Sequence, residues 1–191
     1  MEIGLFFGSF NPIHAGHMII ASLVKETTDV DEIWFIVSPQ NPFKKNKNLL
    51  HEFDRLDMVN AAIGDDYQFR SSDVEFNMPR PSYTIDTLTF LQEKHPEKKF
   101  HLIIGEDNLE SFPKWKNHEK ILEHFGLIVY PRPHSKESQL SKFENVRMIE
   151  APEVDISATL IRKLIKEGKS IKYLVPDAVV EMIQTKGFFK D

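Results

Sequence analysis

The chain predicts a doubly wound parallel α/β sheet with helices on both faces and a helical C-terminus, and three observations lead there. Short runs of consecutive apolar residues, the signature of strands buried on both faces, recur along the chain. Segments with apolar residues at helical spacing alternate with them. Gly, Pro and Asn signals follow the apolar runs, where a strand hands over to a helix.

The elements follow in order. Ile3-Gly4-Leu5-Phe6-Phe7 is the first expected strand, and a helix is expected over 15–27. Ile33-Trp34-Phe35-Ile36-Val37 is the second strand; it leads into a loop over 38–47 that contains Lys44, Lys45 and Lys47. Residues 52–63 are expected to be helical, with Phe53, Leu56, Met58, Val59 and Ile63 on the apolar stripe. A short strand is expected over 67–70. A helix over 83–95 follows, capped by Ser82 or Thr84 and stopped by Pro96. The strand 100–104 ends at Gly105, a short helix and Trp115 come next, and a helix near 119–124 precedes the strand 127–130. Pro131-Arg132-Pro133 interrupts the pattern, and 146–149 reads as one more strand. Helices over 158–167 and 177–185 are stopped by Gly168 and Gly187, with Pro176 near the first turn of the second. The pattern is Rossmann-like. In such sheets ligands lie beyond the carboxyl ends of the strands, where the strand order reverses. The segments 8–17, 39–47 and 105–108 all follow strand ends and are expected to converge on one cleft.

Composition narrows the function. The 191 residues suit one domain, 1–191, and the net charge of -5 disfavours wrapping of nucleic acid. No cysteine is present, which excludes disulfides and thiol chemistry. Met1 leads straight into the first strand, and no apolar stretch reaches the ~18 residues that span a bilayer. The expectation is a cytoplasmic protein with small-molecule substrates and neither nucleic acid nor membrane as partner; the sequence permits a homo-oligomer.

The most informative segment is Gly8-Ser9-Phe10-Asn11-Pro12-Ile13-His14-Ala15-Gly16-His17. Amides at a helix N-terminus lack intrahelical partners and sit at the positive end of the macrodipole, so phosphate collects there. The spacing of His14 and His17 puts both rings on one face of the first turn. A surface pair, or half of a zinc site lacking thiolates and an obvious third ligand, are the alternatives. Ser157-Ala158-Thr159-Leu160-Ile161-Arg162 is a second anion-binding candidate: Ser157 is placed to cap the helix, and Arg162 to reach over the same phosphates. Its alternative is an ordinary capped helix with a solvated basic face. Trp115 reads equally as core or as a stacking surface. Asp73 and Asp86 are candidate acids or bases. His101, His118, His124 and Trp34 read as structural.

Together the two motifs resemble the nucleotidyltransferase superfamily, whose first motif varies around Gly-x-Phe-x-Pro-x-His-x-Gly-His and whose second varies around Ile-Ser-x-Thr-x-x-Arg. The middle of the chain, Pro81-Ser82-Tyr83-Thr84-Ile85-Asp86-Thr87-Leu88, Ile104-Gly105-Glu106-Asp107-Asn108-Leu109, Trp115 and Tyr173-Leu174-Val175-Pro176, resembles the bacterial nicotinate-nucleotide adenylyltransferases. That family transfers AMP from ATP to nicotinate mononucleotide, giving deamido-NAD and pyrophosphate. The resemblance implies that His14, His17 and Arg162 act on the phosphates of ATP, with Ser157 and Thr159 holding the leaving pyrophosphate. It implies Gly8, Ser9 and Phe10 on the ATP side, and Gly105 and Asp107 at the adenosine. Asn11, Lys44, Tyr83, Thr84 and Trp115 would serve the acceptor. No metal ligand is implied; Mg2+ would come bound to ATP.

This chain departs from the family pattern at Phe7, where a second glycine is frequent, at Phe43, where histidine is usual, and at Glu106, where alanine is usual. The Phe43 departure leaves Lys45 or Lys47 as replacements for Lys44. The rival readings are an adenylyltransferase for nicotinamide mononucleotide or phosphopantetheine, and a nucleotide-binding protein without turnover. A cytidylyltransferase would carry an Arg-Thr-Glu-Gly run that is missing before Ile156.

Overall fold

Alternation within the strands sorts the core into two layers. Ile3 and Leu5 of the first strand face one side of the sheet and Phe6 faces the other, as the two-residue period of a strand requires. The computed structural model describes residues 1–39, 49–133, 135 and 138–190. Its strands are β1 (Glu2–Gly8), β2 (Glu32–Val37), β3 (Phe69–Ser72), β4 (Lys99–Gly105), β5 (Leu127–Tyr130) and β6 (Val146–Met148). Every pairing is parallel, in the order β3-β2-β1-β4-β5-β6. The expected doubly wound sheet is therefore present.

One face is covered by α1 (Ala15–Thr27), α2 (Glu52–Ile63), α6 (Ala158–Lys166) and α7 (Asp177–Lys186), through residues such as Val24, Met58, Ile161 and Val179. The other is covered by α3 (Thr84–Lys94), α4 (Glu106–Ser111) and α5 (His118–His124), through Leu88, Leu109 and Ile121. Each such side chain contributes about 1.5–3 kcal/mol on burial. α6 and α7 return to the face occupied by α1, where Arg162 of α6 reaches the loop after β1 and α7 packs on α2 with Lys186 paired to Asp54. Among the described residues no helix is long and apolar enough to cross a membrane.

The strand order reverses between β1 and β4. Gly8 ends β1 beside Val37 of β2, and Gly105 ends β4 beside Tyr130 of β5. All four strand ends open on the same edge of the sheet, which is where a ligand crevice forms in this architecture.

The structure departs from expectation in three places. Strand β3 begins at Phe69, because Tyr67 is exposed and makes no ladder contact. The stripe of α2 is rotated: Phe53 is exposed, while Arg55 is fully buried with Met58 and Val59. Neither Ser82 nor Thr84 caps α3. Tyr83 holds the N-cap position without a side-chain cap, and Ser82 is buried beside Glu75 on the wall of the cleft. Ser157 caps α6 as expected, accepting from the Leu160 amide at 3.2 Å.

Candidate active site

The loop after β1 is folded back on itself. Phe10 adopts a positive φ of 44°, which lays its ring over Gly8; a Cβ at Gly8 would come within 2.8 Å of that ring. Glycine is the one residue that permits so close an approach. Phe10 and Asn11 are both buried, and the Asn11 side-chain oxygen accepts from the Leu50 amide at 3.2 Å. The loop then delivers His14 to the N-cap of α1, with His17 one turn on.

The two imidazoles stack, with ring centroids 3.7 Å apart and an interplanar angle of 27°. His17 Nδ1 accepts the His14 backbone N–H at 3.2 Å, so a neutral His17 carries its proton on Nε2 and is a hydrogen-bond donor without being charged. His14 is 6% exposed and, among the described residues, its Nδ1 has no hydrogen-bond partner. Burial, reinforced by Arg132, brings the His14 pKa down to about 4. Burial, then His14, then Arg132 hold His17 well below the ordinary histidine range. Two neutral rings at a helix N-terminus, one with a buried nitrogen that has no partner among the described residues, suit an anion.

The second motif reaches this loop directly. Arg162 Nη1 donates to the Asn11 carbonyl at 2.7 Å, and Nη2 donates to Thr159 Oγ1 at 3.2 Å. The first turn of α6, with the unpaired amides of Ala158 and Thr159, is thereby tied to the β1 loop. Ser157, Thr159 and Arg162 flank the two hollows described next rather than lining them.

The larger hollow is a cleft of about 560 Å³ at the carboxyl ends of β1 and β4. It brings together Gly8, Ser9, Tyr83, Thr84, Gly105, Asp107 and Trp115. A smaller adjoining hollow contains His14 and His17, and Phe6, Tyr130 and Arg132 line both. At Gly105 a Cβ would collide with the Asp107 carboxylate and come within 3.0 Å of Arg132. Trp115 is half-buried, its ring 5.4 Å from Phe112, and it lines the cleft. The N-terminus of α3 opens into the same space. With no side-chain cap, the amides of Thr84 and Ile85 are unpaired within the helix.

Lys44, with Lys45 and Lys47, lies outside the described residues. Asp86 is half-exposed and paired with Lys116 at 2.9 Å, and Asp73 is exposed, so neither is the buried acid of the region. That acid is Glu75, which sequence reasoning passed over. Arg132, Nε 3.8 Å from Asp107 Oδ1, was passed over as well and read as part of a break. Arg55 is the third: its guanidinium donates to the carbonyls of Ser9 (2.6 Å), Ser38 (2.7 Å), Pro39 (3.0 Å) and Leu50 (3.0 Å). The available signal for Arg55 was its position three and four residues before Met58 and Val59, on the buried stripe of α2.

Similarity to known proteins agrees with this arrangement. Residues 5–164 match the family model described as cytidylyltransferase-like. The chain is 59% identical to the probable nicotinate-nucleotide adenylyltransferase of Cytophaga hutchinsonii and 47% identical to that of Flavobacterium johnsoniae, over the full length of both chains in each case. Among solved structures, the nicotinic acid mononucleotide adenylyltransferase of Plasmodium falciparum complexed with NaAD superposes with a TM-score of 0.83 at 22% identity. That match covers 98% of this chain and 97% of the other, and it speaks to the fold.

Proposed function

The chain belongs to the cytidylyltransferase-like family and, within it, to the nicotinate-nucleotide adenylyltransferases, and from that premise we propose how its residues carry out the reaction. The activity is transfer of AMP from ATP to nicotinate mononucleotide in NAD biosynthesis. A phosphate oxygen of the acceptor forms a bond to the α-phosphorus of ATP. The bond from that phosphorus to the bridging oxygen of the β-phosphate breaks, and deamido-NAD and pyrophosphate result. The acceptor phosphate is already anionic at neutral pH, so the protein has to align two anions and neutralise developing charge rather than generate a nucleophile.

The observation that carries the assignment is the juxtaposition of the stacked His14–His17 pair with a cleft holding Trp115 and the open end of α3. His17 Nε2–H and the amides at the start of α1 would meet the α-phosphate. Arg162, Thr159 and the first turn of α6 would hold the β- and γ-phosphates. Gly105 and Asp107 suit the adenosine, the carboxylate accepting from ribose hydroxyls, and Gly8 and Ser9 keep the intervening backbone close. The nicotinate ring would stack on Trp115 with its carboxylate toward the amides of Thr84 and Ile85, a pairing that favours a carboxylate over an amide. Mg2+ prefers oxygen ligands and keeps several waters, and imidazoles match it poorly. We assign the cation to the phosphates of ATP, where it would neutralise charge on the leaving pyrophosphate. ATP as donor accords with a cytoplasmic location.

The test is pyrophosphate release with ATP and Mg2+, offering nicotinate mononucleotide, nicotinamide mononucleotide and phosphopantetheine in separate reactions. Strong release with the first alone is expected. Equal release with the second would refute the carboxylate-selective pocket. Release only with the third, or ATP binding without release, would overturn the assignment.

A further inference from the structure

Glu75 lies on a 3₁₀ turn, Val74–Asn77, on the wall of the large cleft, yet is 3% exposed. Its carboxyl accepts from Thr87 Oγ1, fully buried on α3, at 2.7 Å, and Ser38 and Ser82 line the same cleft near enough for their hydroxyls to favour its charged form. Ser38 follows the end of β2, and its backbone carbonyl accepts from Arg55. Ser82 and Thr87 bracket the start of α3. One side chain therefore stands between the two walls of the acceptor half of the cleft, bonded to α3 through Thr87 and beside Ser38, whose carbonyl the Arg55 guanidinium holds.

Burying a carboxyl costs more than burying an amide or a methyl group, and it persists where hydrogen bonds repay that cost. Burial pushes the Glu75 pKa up, and the neighbouring hydroxyls of Thr87, Ser38 and Ser82 oppose that rise. A simple latch between two loops would be served by a neutral side chain. A buried carboxyl bonded to Thr87 and set between Ser38 and Ser82 can hold the Thr87 rotor and, with it, the distance from the β2 end to the amides at the head of α3.

We propose that Glu75 is a positioning residue for the acceptor: its buried carboxyl, bonded to Thr87 and set between Ser38 and Ser82, sets the width of the pocket that receives nicotinate mononucleotide. The proposal rests on the adenylyltransferase reading above and deepens it. Glu75 does not touch the reacting atoms, and it lies away from His14, His17 and Arg162. Its influence falls on one substrate.

The experiment compares steady-state constants for the wild-type chain, Glu75→Gln and Thr87→Val, with thermal melting of each. Wild-type turnover with nicotinate mononucleotide comes first; its failure would sink the adenylyltransferase reading and not the role of Glu75. Glu75→Gln keeps volume but replaces one acceptor oxygen by a donor and removes the charge, so the side chain can no longer accept through both of its polar atoms. It is expected to raise the KM for nicotinate mononucleotide about tenfold, with the KM for ATP and kcat within about twofold. Thr87→Val is expected to act in the same sense, and the double variant to be little worse than Glu75→Gln, because both break one network. If Glu75→Gln does not fold, Thr87→Val alone carries the test. An unchanged acceptor KM, or both KM values rising together, would overturn the proposal.

Discussion

Arg162 donates to the backbone carbonyl of Asn11 at 2.7 Å across 151 residues of sequence. One guanidinium thus ties the loop after β1 to the first turn of α6, Nη1 holding the loop and Nη2 meeting Thr159. Under the proposed function Arg162 would both bind and position, so its variants should affect one substrate strongly.

Arg162→Ala is expected to raise the KM for ATP by about 10- to 100-fold, the range for a lost charge-assisted hydrogen bond. Arg162→Lys should recover little, because an ammonium cannot reproduce the fork. Steady-state titration with ATP at saturating acceptor is the measurement. An unchanged constant would remove Arg162 from the triphosphate site.

His17→Ala should cut kcat by about 10²–10³, the usual effect of losing one donor aimed at developing charge. Melting should fall, since the His17 ring packs on His14, Phe6 and Phe10 and accepts the His14 amide, but the variant should remain folded at the assay temperature. Normal turnover by a folded His17→Ala protein would refute the phosphate-site argument.

The parts of this site legible from sequence are those carried by local spacing. His14 with His17, Ser157 with Arg162, and the glycines ending β1 and β4 each announce themselves within a few residues. The parallel, doubly wound class of the sheet was legible too, because fully apolar runs alternating with helices admit few topologies; the order of its strands comes from the structure. What escaped are the residues whose partners are distant. Glu75 and Arg55 look like ordinary surface charges until the fold brings Ser38 to both of them. Arg132 stood between two prolines, a context that reads as punctuation, and only the return of β5 beside β4 places it next to Asp107. The exposure of Phe53 has the same origin, since an apolar stripe carries no mark of which neighbouring face α7 and the sheet will cover.

Acid should destabilise the protein through His14 in a defined window. Its folded pKa is about 4 against 6.5 for the ordinary group, so below about pH 6.5 the unfolded chain takes a proton that the folded chain refuses. Stability is complete above that point and declines as the pH falls toward 4, by ~3 kcal/mol in all. The measurement is urea unfolding across the window for wild type and His14→Asn, whose amide does not titrate. The wild-type stability should fall more steeply, and parallel slopes would show that His14 is protonated at the same pH in both states.

Arg55 makes the strongest case for a structural charge. Four carbonyls from three loop segments converge on it, and burial lowers its pKa to about 10, which leaves it cationic at neutral pH. Arg55→Lys keeps the charge but reaches at most part of this set, leaving buried carbonyls unpaired at a cost of about 1–3 kcal/mol each. The expected result is a loss of at least about 2 kcal/mol in urea unfolding. Ser9 and Ser38 are both among its partners, so the surviving folded fraction should show raised KM values for both substrates. That sets it apart from Glu75, whose variants move the acceptor constant alone. A fully stable Arg55→Lys protein would mean that the loops hold their places without the fork.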